Sequence, residues 1–403
     1  FHKYCFILKV HHYKHDMKRI HSIDVVRGIV MVIMALDHVR DLMHVTSITQ
    51  SPTNLETTTP LLFFTRWITH ICAPTFVFLA GTSVYLSSKK AENIAVLRRF
   101  LIKRGIYLLV LEFVVVNFAI FFDPRFHILL FEVIAAIGLG FIGLGLLLNI
   151  SVTAIGTIGL IILFFYSLLS LIPLEGNPVL KTVINFLFNQ TAAPLSEGRV
   201  FVMAYPPIPW LGIILVGFAS GKFFLNPVQE RKHMWVTVGI AAISLFMALR
   251  VLNVYGDPVP WASQKDAVFT LLSFLNVTKY PPSLQFSLLT LGVMFFILAW
   301  AEGAKTRLVE FASVYGRVPL FYFIIHFFLI HLLMLGLLFL QGFSWSQMDF
   351  ASGTFGRPAS AESGVALWVI YLIWIGVVAL LYKPCLWFGE YKAKHTYWWL
   401  KYL

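Results

Sequence analysis

Arg19-Ile-His-Ser-Ile-Asp24-Val-Val-Arg27-Gly28-Ile-Val-Met31-Val-Ile-Met34-Ala35-Leu-Asp37-His38 has the apolar content of a membrane span, yet it carries charges along its length. A charged side chain at membrane depth costs about 2.5–3.5 kcal/mol on insertion scales, so such groups are rare and either pair or do chemistry. At about 100° per residue, Asp24, Arg27, His38 and Asp41 fall within an arc of roughly 100°, with Met31, Met34 and Ala35 on or near it. One face of this helix is therefore polar at both ends and must look inward, toward protein or water. Arg40 projects the other way by the same periodicity, near the expected outer boundary, where a long side chain can snorkel.

The remainder of the 403-residue chain agrees with a membrane setting. It is 59% apolar and 12% charged, against about 25% charged for soluble domains, and its mean hydropathy is +0.80. Residues 133–174, 200–221, 280–301, 318–348 and 363–382 are free of charge, and each run can cross a bilayer, which takes about 20 residues. Barrel strands alternate in short segments and do not stay apolar over such lengths, which excludes a transmembrane barrel. The expected fold class is all-α, a polytopic transmembrane helical bundle of about ten spans with both termini cytoplasmic. The spans are read at 23–42, 61–88, 104–122, 127–148, 151–173, 206–225, 233–252, 282–302, 317–341 and 364–387.

The net charge of +12 would suggest nucleic acid in a soluble protein. Here most basic residues fall in alternate loops, such as Lys89, Lys90, Arg98 and Arg99, or Lys305, Arg307 and Arg317. That bias is a topology signal and places both termini inside. No nucleic-acid partner is expected, and the pattern fits a bacterial plasma (inner) membrane. Cys5, Cys72 and Cys385 are scattered, with neither a disulfide framework nor metal-ligand spacing, so no metal is expected. Met17-Lys18-Arg19 is a natural start, so residues 1–16 read as upstream translation or an unstructured tail. The expected organisation is an N-terminal tail at 1–17, a transmembrane domain at 18–390, and a basic, aromatic cytoplasmic tail at 391–403. The outer loops 174–205 and 253–281 are the longest and are suited to cover a site on the outer face.

Several polar residues lie inside the spans. Arg66 and His70 are one helical turn apart and can share a face. Glu112, Glu132, His326 and His331 lie in the middle or outer half of the bilayer. Each has a plain structural reading. Asp24 and Arg27 make a local ion pair, Glu112 and Glu132 cap neighbouring groups or pair with Arg66, and the histidines are hydrogen-bonded core residues. His38 is the best functional candidate, because a carboxylate from Asp37, Asp41 or another span can hold its imidazole in one tautomer and raise its basicity.

At these residues the chain resembles the bacterial multi-pass relatives of heparan-α-glucosaminide N-acetyltransferase. The stretch Arg19-x-x-Ser22-Ile-Asp24-x-x-Arg27-Gly28 is similar to the family's opening signature, which type-three membrane acyltransferases share in part. Cys72-Ala-Pro74-Thr-Phe-Val-Phe-Leu-Ala-Gly81, Pro209-Trp210-Leu-Gly212 with Gly217 and Gly221, Lys279-Tyr-Pro281-Pro282-Ser-Leu, and Tyr315-Gly316-Arg317-Val-Pro319-Leu-Phe-Tyr322 with His326 follow in the same order. The likeness spans residues 18–390. It implies a membrane acyltransferase that takes acyl-CoA (acetyl-CoA) from the cytosol and acylates a sugar or envelope component on the far side. The family's catalytic histidine lies further into the first outer loop. Residues 46–60 hold no histidine, and His44 and His38 are nearest. His38 falls where type-three acyltransferases place theirs.

The resemblance and the polar positions together make His38, Asp37, Asp41 and His70 the catalytic candidates. Asp24, Arg27, Arg66, Trp210, Lys279, Arg317 and His326 are the candidates for substrate or CoA binding. The basic loop 89–104 would attract CoA phosphates, although topology alone accounts for its charge. The expected partners are the lipid bilayer, acyl-CoA and an extracytoplasmic glycan, and a homodimer is allowed. Two rivals remain open from the sequence: a transporter or channel whose intramembrane charges bind protons or solute, against which the lack of an evident inverted repeat weighs, and a non-catalytic member of the family.

Overall fold

The computed structural model describes residues 19–171, 177–358 and 362–403. The tail at 1–16 and the proposed start at Met17 lie outside the described residues. The helices run α1 (His21–Met43), α2 (Pro60–Trp67), α3 (Cys72–Lys90), α4 (Ile94–Leu111), α5 (Asn117–Phe121), α6 (Val133–Leu147), α7 (Val152–Phe165) and α8 (Pro178–Phe188), then α9 (Pro207–Ser220), α10 (Val228–Leu252), α11 (Ala267–Leu275), α12 (Leu284–Ala301), α13 (Arg307–Gly316), α14 (Pro319–Leu340) and α15 (Leu367–Lys394). Among the described residues eight helical segments are long and apolar enough to cross a membrane. The helix α1 is excluded from that group by its charges and α6 by its 15-residue length, and with these two the bundle matches the ten expected spans. Exposed tryptophans sit near both ends, Trp387 and Trp398 at one and Trp345 and Trp368 at the other, as interfacial aromatic belts require.

The segment α1 is the hub, packing against α3, α12, α13, α14 and α15. Its closest neighbour is α13, a helix absent from the expected set. A Cβ on Gly28 would lie 1.7 Å from the carbonyl oxygen of Ala312, and one on Gly316 would lie 1.7 Å from that of Asp24. The glycines of the opening signature and of the late motif are thus the two sides of one backbone-to-backbone contact, the small-residue packing that membrane helices use in place of a hydrophobic drive. The pair Gly81 and Gly217 does the same for α3 and α9, with Cβ positions 2.0 Å from Ile214 O and 2.1 Å from Phe78 O. Gly28→Ala is expected to force α1 and α13 apart and to destabilise the protein by about 1–3 kcal/mol or more. A melt in detergent reads this, and an unchanged Tm would mean that the contact is not needed.

Several expectations at the span ends are corrected. The third span begins at Ile94 rather than 104, so Arg98, Arg99, Lys103 and Arg104 ride on α4 and not on a loop. Residues 128–131 form a strand, β1 (Ile128–Phe131), ahead of α6. It pairs in parallel with β3 (Arg199–Met203), which also pairs antiparallel with β2 (Thr191–Ser196). The strands β2 and β3 and the helix α8 lie in the long outer loop expected at 174–205, and strands of four to six residues are too short to show a clear period beside the spans. The segment 391–403 is partly helical and touches α4. The helix α15 runs through Lys394, and the ring of Tyr402 lies 5.7 Å from Phe100 and 5.4 Å from Tyr107 on α4.

Buried polar groups tie the outer loops down. Arg250, 1% exposed, donates to the carbonyls of Val259, Ser273, Phe274 and Asn276. Arg357, also buried, donates to His44 O at 2.8 Å and Ser47 Oγ at 2.7 Å. Asp123 fixes the turn from α5 into β1 by accepting from the backbone N–H of Arg125 and His127 and from the His127 ring. Burial alone would raise its pKa, and those donors outweigh burial and hold it below the usual carboxylate range.

Candidate active site

The end of α1 furthest from Arg19 opens on a cavity of about 160 Å³. Asp37, His38 and Asp41 enter it from α1, Arg66 from α2, Thr69 from the turn between α2 and α3, and Cys72 from the start of α3. Glu132 comes from the junction of β1 and α6, and Phe323 and Phe327 from α14. The outer loops supply Tyr205, Lys279, Tyr280 and Phe355.

His38 is held by another histidine. Its Nδ1 lies 2.6 Å from Nε2 of His326, which is fully buried, and Nδ1 of His326 lies 3.0 Å from the carbonyl oxygen of Tyr322 one turn earlier on α14. A carbonyl can only accept, so Nδ1 of His326 carries a proton and its Nε2 a lone pair. That lone pair requires a proton on Nδ1 of His38, which leaves Nε2 of His38 as the basic nitrogen. The ring of Phe327 stacks on His38 at 4.2 Å. The orientation expected from Asp37 or Asp41 therefore comes from His326 instead.

The carboxylates are committed elsewhere. Asp37 accepts from Arg66 and, at 2.8 Å, from Arg40. The same nitrogen of Arg40 reaches Asp41 at 2.6 Å. Arg40 is 2% exposed, so the snorkelling expected of it is corrected. It turns back along α1 because two carboxylates within one turn solvate it better than the interface does. Arg66 also donates to Thr69 Oγ1 at 3.0 Å, so among the described residues its acidic partner is Asp37 and not the expected Glu112 or Glu132. Glu112 is fully buried in a π-helical turn, residues 112–116, and accepts from the N–H of Ala135 at 3.0 Å, capping α6 across the helix interface.

The other candidates separate by position. His70 is buried with its ring 5.7 Å from Phe286 and does not line the cavity. Trp210 is buried behind Tyr205, centroid to centroid 4.7 Å, and is not in the wall either. His331 stacks on Phe122 at 3.8 Å, outside the cavity. His44 contacts Thr46 Oγ1 at 3.0 Å, and burial together with Arg40 and Arg357 pushes its pKa down. Asp24, Arg27 and Arg317 are at the opposite end of α1. The expected Asp24–Arg27 pair does not form. Asp24 is bound by Arg19, whereas Arg27 donates to Ser83 Oγ at 2.6 Å and Leu79 O at 2.9 Å. Arg317 lies beside Arg19 and Asp24 in a separate recess against α15.

Two further cavities lie between the ends. One of about 240 Å³ is lined by Arg19, Asp24, Arg27, Ser83 and Lys90. The next, about 210 Å³, shares Arg27 and Ser83 with it and adds Arg104, Met31, Ala80 and Phe141. This middle cavity shares Phe76, Val133 and Phe323 with the His38 cavity. In sequence the adjoining cavities have a basic lining, a mostly apolar lining and a lining that includes His38. Among the described residues no three His, Cys, Asp or Glu side chains converge to hold a metal.

Glu132, Tyr205, Tyr280, Thr69 and Cys72 also line the cavity, although sequence reasoning does not make them site residues. Tyr280 carries a usable signal, since it adjoins Lys279 inside a family-like motif. Tyr205 and Phe355 carry no local signal.

The fold and cavity define a multi-pass helical membrane protein with a histidine-lined cavity. Residues 19–256 match the family model of heparan-alpha-glucosaminide N-acetyltransferase, catalytic. That is more than half of the chain, which belongs to this family of membrane acetyltransferases. No curated protein matches the sequence.

Proposed function

We propose that the protein transfers an acyl group, acetyl by its family, from cytoplasmic acyl-CoA to a sugar or envelope component on the extracytoplasmic side. The observation that carries this reading is the series of adjoining cavities between Arg19 and His38. With the termini inside, as the charge bias requires, the Arg19, Lys90, Arg27 and Arg104 end faces the cytoplasm. Clustered positive charge there would attract the anionic phosphates of CoA. The apolar middle suits a pantetheine arm, and its far end would bring the thioester to His38. Acceptor would enter from the outer side, between Tyr205, Tyr280 and Phe355. There His38 Nε2 would remove the acceptor's proton, the chemistry for which its tautomer is set.

The test is thermal stabilisation of the purified protein by acetyl-CoA, paired with release of free CoA thiol. Saturating ligand at 100 times its Kd stabilises by about 2.7 kcal/mol, so a clear rise in Tm is expected. In sealed vesicles, acetyl-CoA should be consumed only from the face that carries the termini. No Tm shift together with solute flux through proteoliposomes would overturn this reading in favour of transport.

A further inference from the structure

The cavity wall carries three carboxylates, Asp37, Asp41 and Glu132, yet attack on a thioester builds negative charge on its carbonyl oxygen. Such a site needs a cation whose charge is not already spent. Arg66 gives its Nη1 to Asp37 and Thr69, and the Asp37 carboxylate offsets its charge. Arg40 is spent on Asp37 and Asp41 and is not part of the wall. Lys279 is different. Among the described residues its Nζ makes no hydrogen bond or ion pair, Glu132 on the same wall included. Ring faces hold it instead, with Nζ 4.8 Å from the centroid of Tyr280 and 5.9 Å from that of Tyr205. A cation held by ring quadrupoles keeps its N–H donors available. The two rings support each other, with hydroxyls 3.4 Å apart, and Tyr205 rests on Trp210.

We propose that the Lys279 ammonium, seated on Tyr205 and Tyr280 in the His38 cavity, is the catalytic group that stabilises the oxyanion of the thioester. This rests on the acyl-transfer reading above. Nε2 of His38 takes the proton of the acceptor O–H or N–H, and the acceptor atom bonds to the thioester carbon. The carbonyl electron pair moves onto oxygen, where Lys279 donates to it. The pair then returns, the C–S bond breaks, and the CoA thiolate takes the proton from the His38 imidazolium. Lys279 makes its strongest contact only when charge develops, which is the condition for raising kcat rather than affinity.

The test compares wild type, Lys279→Met and Lys279→Arg, each first shown to melt near the wild-type temperature. Two quantities are read: thiol release from acetyl-CoA with water as acceptor, and the infrared carbonyl band of bound [1-13C]acetyl-CoA. Lys279→Met should lower kcat by about 10²–10³-fold with little change in KM, and Lys279→Arg should recover most of it. The carbonyl band should lie below its free-solution position in wild type and return to that position in Lys279→Met. An unchanged kcat, or a loss confined to KM with an unmoved band, overturns the assignment. If wild type binds acetyl-CoA without releasing thiol, the band alone decides by the same criterion. Failure of wild type to bind acetyl-CoA at all would overturn the acyl-transfer reading itself, and the role of Lys279 with it.

Discussion

His38→Ala is expected to lower acyl transfer by about 10²–10⁴-fold, the usual contribution of a positioned general base, with acetyl-CoA affinity close to wild type. The expectation follows from the proton inventory of the histidine pair. The Tyr322 carbonyl sets His326, His326 sets His38, and the one basic nitrogen left is Nε2 of the residue that lines the cavity. His326→Ala should cost less, since the base survives but loses its fixed tautomer. Its signature should be an altered pH–rate profile rather than simple loss. Steady-state kinetics on the two variants, with acetyl-CoA binding as the fold control, checks both statements. Full activity in His38→Ala would remove this histidine from the chemistry, whereas no acyl transfer by wild type itself would favour the non-catalytic reading.

Asp37→Ala should destabilise the protein by about 3–5 kcal/mol, because removing one partner of a buried ion pair leaves the others charged and unsolvated. Asp37 is the shared acceptor of two arginines, Arg66 from α2 and Arg40 from its own helix. Its loss strands Arg66 without a carboxylate and leaves Arg40, 2% exposed, with Asp41 as its one acidic partner. The double variant Asp37→Ala with Arg66→Ala should recover part of the loss, since the stranded charge leaves with its partner. Thermal or chemical melts in detergent measure the cycle. If the single variant melts like wild type, the junction of α1 and α2 is held by something other than this network. Activity in Asp37→Asn separates the two roles. A stable but inactive protein would give Asp37 a part in the chemistry, and a destabilised but active one would leave it structural.

Much of the fold is legible in the amino-acid sequence, since long uncharged runs and the bias of basic residues are local properties. The ten expected spans correspond to the eight long apolar segments with α1 and α6. The elements that leave no such trace are short or irregular. The helix α13 is ten residues long, and the sheet is formed by segments far apart in sequence, Ile128 opposite Val200. The opening motif points to α1 but not to the reason for its glycine, which emerges only when Ala312 lies against Gly28.

The candidate site divides in the same way. The sequence by itself determined that α1 carries two acids, an arginine and a histidine on one inward stripe, because helical periodicity places residues on a face whatever surrounds them. It also determined that such charges need partners, because the membrane makes isolated ones costly. Only the tertiary structure decided who those partners are. His38 meets His326, Asp37 meets Arg66, and Lys279 comes from an outer loop to the same cavity, although 288 residues separate the two histidines. Pair choice depends on where helices cross and how loops return. Those are set by the fit of many side chains at once and leave no period in the chain.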